Sequence, residues 1–120
     1  MPAAKALLVD HMEGNVEIAV PTLLYYEVAN ILLFGRSRPS IQDASEALGD
    51  LFSLPLIVVA PAPDAADAAL RLASGHGLSY YDAAYLALAE ERDCMLVTAD
   101  QRLARRVRAS GRVRLLAAAP

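Results

Sequence analysis

The chain has 120 residues, 56% of them apolar and 6% aromatic, and carries a net charge of −3. That length fits one domain, the apolar share is enough for a sizeable core, and the charge argues against generic nucleic-acid binding. A single cysteine, Cys94, excludes an internal disulfide, and no window of about 18 residues is both apolar and uncharged, so no membrane span is expected.

In chain order, helix and strand alternate. Residues 3–13 read as the end of a helix, stopped by Gly14-Asn15. "VEIAV" (16–20) reads as a short buried strand. Pro21 and Thr22 open a helix that runs to about Gly35, where "RSRP" breaks it. Ser40 starts the next helix, its hydroxyl placed to cap while Asp43, three residues on, faces back; that helix ends near Leu54. "LIVV" (56–59) is a second strand. Residues 64–74 form an alanine-rich helix that "SGHG" stops, and residues 79–92 form another. "CMLVTA" (94–99) is a third strand, with Cys94 as a small buried hydrophobe; Asp100–Ser110 is a helix and "VRLLA" (113–117) a last strand. Short, continuously apolar strands separated by helices indicate a parallel sheet covered on both faces, a three-layer α/β domain whose sites form at the carboxyl ends of the strands. The start is unusual: a helix comes first, with no strand before it.

The opening residues lack a basic start followed by a long apolar run and a cleavage site, so no secretory signal is expected and a cytoplasmic location is the default. Six of the eleven basic residues lie between Arg102 and Arg114: Arg102, Arg105, Arg106, Arg108, Arg112 and Arg114. Two readings arise, and on this feature alone the first is favoured. One is a solvated helix face that complements the helix C-terminus; the other is a phosphate-contacting patch on an otherwise acidic protein.

Three carboxylates stand out. Asp82 lies three residues after Ser79, the capping-box spacing, and Asp100 follows a strand and precedes a helix, the place of an N-cap. Either alone is more often a cap than a catalyst. Glu27 has no cap to make. It lies in "TLLYYEVANILLF", apolar nearly all round and so read as a buried helix, with Asn30 on the same stripe. An unpartnered carboxylate is costly to bury, which leaves a buried ion pair or a metal ligand. Three converging carboxylates would repel one another, and a divalent cation removes that conflict. Oxygen-only ligands suit Mg²⁺ or Mn²⁺ rather than zinc. His11 and His76 are isolated from one another and read as surface residues.

"VPTLLYYEVANILL", "LSYYDAAYLALAEERDCMLVTAD" and "QRLARRV" together resemble a PIN-domain ribonuclease of the VapC toxin type over nearly the whole chain. In that family an acidic residue sits in a yEv-type helix, an aspartate at a yDA-type helix start and another at a lvTaD-type strand end; here these are Glu27, Asp82 and Asp100. The resemblance implies a three-layer α/β/α fold with a central parallel sheet. It implies Mg²⁺- or Mn²⁺-dependent cleavage of RNA, a VapB-like antitoxin that blocks the site, and a homodimer. Thr98 matches a Ser/Thr two residues before the last aspartate and is implied to assist the site. In such an enzyme Arg102, Arg105 and Arg106 would contact RNA phosphates.

The family pattern begins with a strand ending in a further metal-binding aspartate. "ALLVDHM" offers Asp10, but only sixteen residues separate Asp10 from Glu27, too few for a helix and a strand between them. "AAKALLVDHMEGNVEIAVP" reads instead as a helix running into a strand. The expectation is therefore one PIN-like domain over residues 1–120 without the first strand and its aspartate. That leaves two functional readings, a metal-dependent endoribonuclease toxin or a catalytically weak remnant that binds an antitoxin-like protein. A plain α/β scaffold whose aspartates only cap helices is the third.

Overall fold

The computed structural model describes residues 2–116. In chain order it contains α1 (Pro2–Met12), β1 (Ala19–Pro21), α2 (Leu23–Phe34), α3 (Ile41–Ser53), β2 (Ile57–Val59), α4 (Pro63–His76), α5 (Tyr80–Glu91), β3 (Leu96–Thr98), α6 (Gln101–Arg106), a 3-10 turn (Arg108–Ser110) and β4 (Val113–Leu115). The strands pair in parallel as expected, β1 with β2 and β3 with β4, with Val20 opposite Val58 and Val97 opposite Arg114. Parallel neighbours need a crossover, and helices supply both: α2 and α3 link β1 to β2, and α6 links β3 to β4. The chain forms two compact units, Met1–Val16 with Pro61–Pro120, and Glu17–Ala60. Of the last strand's expected span, Ala117 lies outside the described residues.

In the first unit, α1 holds "ALLVDHM" as helix, with Asp10 exposed rather than at a strand end. Gly14, at φ +80°, turns the chain while the Asp10 carbonyl accepts from the Asn15 and Val16 amides. α4 runs further than "SGHG" suggests: Ser74, Gly75 and His76 remain helical, and Gly77 ends the helix. Gly77 takes the left-handed φ of +66°, and the amides of Gly77 and Leu78 both donate to the Ala73 carbonyl. Gly75 costs the helix interior backbone entropy but does not break it.

Leu86 and Val107 are wholly buried and anchor a core with Ala89, Leu96 and Leu103, flanked by Leu72, Leu78, Tyr85 and Val113. Ala69, Ala83 and Ala87 form a second cluster, where small side chains let α4 and α5 approach closely. Cys94 does not join this core. It is exposed, because Asp93 adopts a left-handed φ of 52° after α5 and β3 begins only at Leu96. The expected buried strand cysteine is thereby corrected.

In the second unit Val20 and Ala44 are buried, and Tyr25 stacks on Phe52 with ring centroids 4.5 Å apart, joining α2 to α3. The Ser40 hydroxyl accepts from the Asp43 amide, as its spacing predicts. The buried helix expected at 22–34 is not found: no residue of α2 is buried, Glu27 is half-buried, and Asn30 is exposed. An apolar helix is buried only where neighbours cover every side. Here Tyr26 (75% exposed), Ile31, Leu33 and Phe34 (69%) face water.

Two glycines two residues apart are expected to respond oppositely. Ala at Gly75, which is helical and meets nothing within 4 Å, should stabilise by roughly 0.5–1 kcal/mol. Ala at Gly77 should destabilise by about 1 kcal/mol or more, because its φ is left-handed. Leu86→Ala should cost roughly 2–5 kcal/mol. Urea unfolding of the three variants measures all of these.

Candidate active site and arginine cluster

Asp100 closes β3 and opens α6. Its Oδ1 accepts from the amides of Arg102 (2.9 Å) and Leu103 (3.1 Å), making it the N-cap its position predicts. Both cap bonds fall on Oδ1, so Oδ2 is not needed by the cap. Thr98 Oγ1 accepts from the Asp100 amide at 3.1 Å and holds the turn that aims the carboxylate. Asp100 is exposed and Thr98 half-buried, at the carboxyl end of a parallel strand.

Asp82 lies in the first turn of α5 and is half-buried. Its amide donates to Ser79 Oγ at 3.1 Å, so the expected cap is present here too. Asp82, Thr98 and Asp100 belong to the first compact unit; Glu27 belongs to the second, in the middle of α2. Within neither unit do three His, Cys, Asp or Glu side chains come together as a metal-binding group among the described residues. The donors themselves suit Mg²⁺ or Mn²⁺: carboxylate oxygens, one of them outside the cap, and a neighbouring hydroxyl. His11 and His76 are half-buried rather than at the surface.

The arginines that form one cluster in sequence separate in space. Arg106 Nη1 donates to the Gly77 carbonyl at 2.5 Å, tying α6 to the turn between α4 and α5. Arg112 pairs with Asp93 at 2.8 Å. Arg105 Nε makes a long 3.4 Å bond to the Gln101 carbonyl of its own helix. Arg105 and Arg108 line a cavity between α6 and β4, together with Gln101, Ala104, Val113 and Leu115. The family resemblance does not mark Arg108 as a residue that meets RNA. It lies in the 3-10 turn just after α6 and reaches the cavity beside Arg105.

The PIN domain family matches the chain over residues 3–109, a span that takes in Glu27, Asp82, Thr98, Asp100 and Arg102 to Arg108. No curated protein matches it significantly. A crystal structure, that of PAE2754 from Pyrobaculum aerophilum, is similar with a TM-score of 0.69 and 26% identity, covering 95% of this chain and 84% of that one. A family match across almost the whole chain, with helices and parallel strands and a similar solved fold, places this protein in the PIN domain family and its fold in the α/β/α class of that family.

Proposed function

We propose that the chain is a metal-dependent endoribonuclease of the VapC toxin kind, cleaving RNA phosphodiester bonds by hydrolysis. PIN domains are in general nucleases. The observation that carries the reading is Asp100: it caps α6 through Oδ1 alone, and the Thr98 hydroxyl orients its turn. That arrangement leaves a carboxylate oxygen for a cation at the carboxyl end of a parallel strand.

In this reading Glu27, Asp82 and Asp100 hold Mg²⁺ or Mn²⁺. Such an ion supplies an activated water, neutralises the phosphate and stabilises the leaving oxygen. Thr98 keeps the Asp100 carboxylate aimed. Arg102, Arg105 and Arg106 draw in RNA phosphates, with Arg106 also tied to Gly77. The partners are RNA, a VapB-like antitoxin and a second copy of the chain, in the cytoplasm. Exposed Tyr26, Ile31, Leu33 and Phe34 on α2 support a protein partner, since clustered apolar side chains in water mark such surfaces. They equally favour the second reading, a catalytically weak PIN protein that acts by binding its antitoxin. No helix among the described residues is long and apolar enough to cross a membrane.

Asparagine substitution separates a cap from a metal ligand. Asn caps a helix about as well as Asp, whereas Ala at Asp100 should cost about 1 kcal/mol. Asp100→Asn should therefore unfold like the parent, and so should Asp82→Asn, whose cap bond is made by its backbone amide to Ser79. Each should lower Mg²⁺-dependent RNA cleavage by roughly 100-fold or more, the scale of losing a charge that stabilises the transition state. Parent-like cleavage by both variants would show that neither carboxylate holds the metal, and a parent that binds antitoxin without cutting RNA would establish the second reading. Neutralising Arg102, Arg105 and Arg106 should weaken binding to all RNA sequences alike and flatten its salt dependence, measured by titration of labelled RNA.

A further inference from the structure

α6 presents Gln101, Ala104 and Arg105 on one face, and Arg108 opens the 3-10 turn that follows it. β4 presents Val113 and Leu115 on one side and Arg114 on the other, because side chains alternate along a strand. Between the helix face and the strand face lies an open cavity of about 390 Å³. Its walls are of two kinds. Arg105 and Arg108 are exposed, and the ion pairs among the described residues, Arg71–Asp67 and Arg112–Asp93, include neither. Beside them Ala104, Val113 and Leu115 form an apolar floor, with Leu115 41% exposed.

Two guanidinium groups favour an anion and can grip phosphate oxygens with paired N–H donors. An apolar floor next to them favours a flat group attached to that anion. Phosphate alone would leave the floor wet, and an apolar ligand alone would leave both cations unmatched. A nucleotide satisfies both, its base resting on the floor, and the cavity is at the small end of ligand sites, with room for one such unit. The cavity also lies on the helix that Asp100 caps. At 1.5 Å per residue, Arg105 stands about 7–8 Å along that helix from Asp100.

We propose that the cavity between α6 and β4 is a nucleotide subsite for single-stranded RNA, with Arg105 and Arg108 on a phosphate and the base against Ala104, Val113 and Leu115. This rests on the RNA-cleaving reading above and adds to it a place for a nucleotide flanking the cut.

The test uses the full chain in EDTA, a short 2′-O-methylated oligonucleotide that is bound without being cut, and the same oligonucleotide with abasic positions. The double variant Arg105→Gln/Arg108→Gln should weaken binding about tenfold or more and lower the salt slope by roughly 0.7 for each phosphate that is no longer neutralised. Leu115→Ser should weaken the base-bearing oligonucleotide and leave the abasic one unchanged. Arg71→Gln, an arginine outside the cavity, should change neither. Thermal unfolding of the variants, whose changed side chains are exposed, checks the fold. Unchanged affinity in the double variant would overturn the subsite, and so would a polyglutamate peptide that binds through these arginines where the oligonucleotide does not. Equal losses for base-bearing and abasic strands in Leu115→Ser would overturn the base placement. The two readings fail separately. If the aspartate variants cut RNA normally while binding still depends on Arg105 and Arg108, the subsite stands and the metal site falls. If cleavage needs the aspartates but binding ignores the arginines, only the subsite falls.

Discussion

Burial of Leu103 and Val107 sets the rotation of α6, and the placement of Asp100, Arg105 and Arg106 follows from that rotation. The helix has six residues, too few to hold together alone, since isolated helices of such length do not persist in water. Its stability comes from two apolar side chains four apart, seated against Leu86, Ala89 and Leu96. Once that face is inward, Asp100 stands at the exposed start of the helix, Arg106 reaches the Gly77 carbonyl, and Arg105 and Arg108 turn toward β4. Rotating the helix by one residue would bury an arginine, so the orientation is strict.

Asp100 caps a helix with only one of its two carboxylate oxygens. A helix start leaves amides unsatisfied, and a carboxylate has two oxygens. Here the amides of Arg102 and Leu103 share one of them. The cap is thereby complete with half of the group, and the hydroxyl of Thr98 stiffens the turn that carries it. A cap and a ligand are competing explanations when weighed by residue type. In this turn they are compatible, because they use different atoms.

The arginine cluster is instructive for the opposite reason. Six like residues within thirteen positions suggest one feature, a basic patch. The fold commits Arg106 to a carbonyl and Arg112 to Asp93, and places Arg114 on the far side of β4 from Val113 and Leu115. Of the three that remain, Arg102, Arg105 and Arg108, the last two line one cavity beside an apolar floor.

The sequence by itself determined what depends on near neighbours. The caps at Ser40, Ser79 and Asp100 are bonds between residues two or three apart, and each formed as its spacing predicts. Helical reading of Asp10, the order of elements and the parallel pairing were legible for the same reason, since apolar runs and breakers act locally. The end of α4 was not, because Gly75 and Gly77 are alike as letters and only the Ala73 carbonyl selects the one that turns left-handed. Burial was legible least. The apolar character of α2 is plain in its residues, yet Tyr26 and Phe34 face water, and Cys94 stands outside the strand that its apolar neighbours suggested. Whether a side chain is covered depends on partners far away along the chain, and so does the division of like-charged arginines among a carbonyl, a carboxylate and an open cavity. Those choices belong to tertiary structure, because only packing brings the deciding atoms within reach.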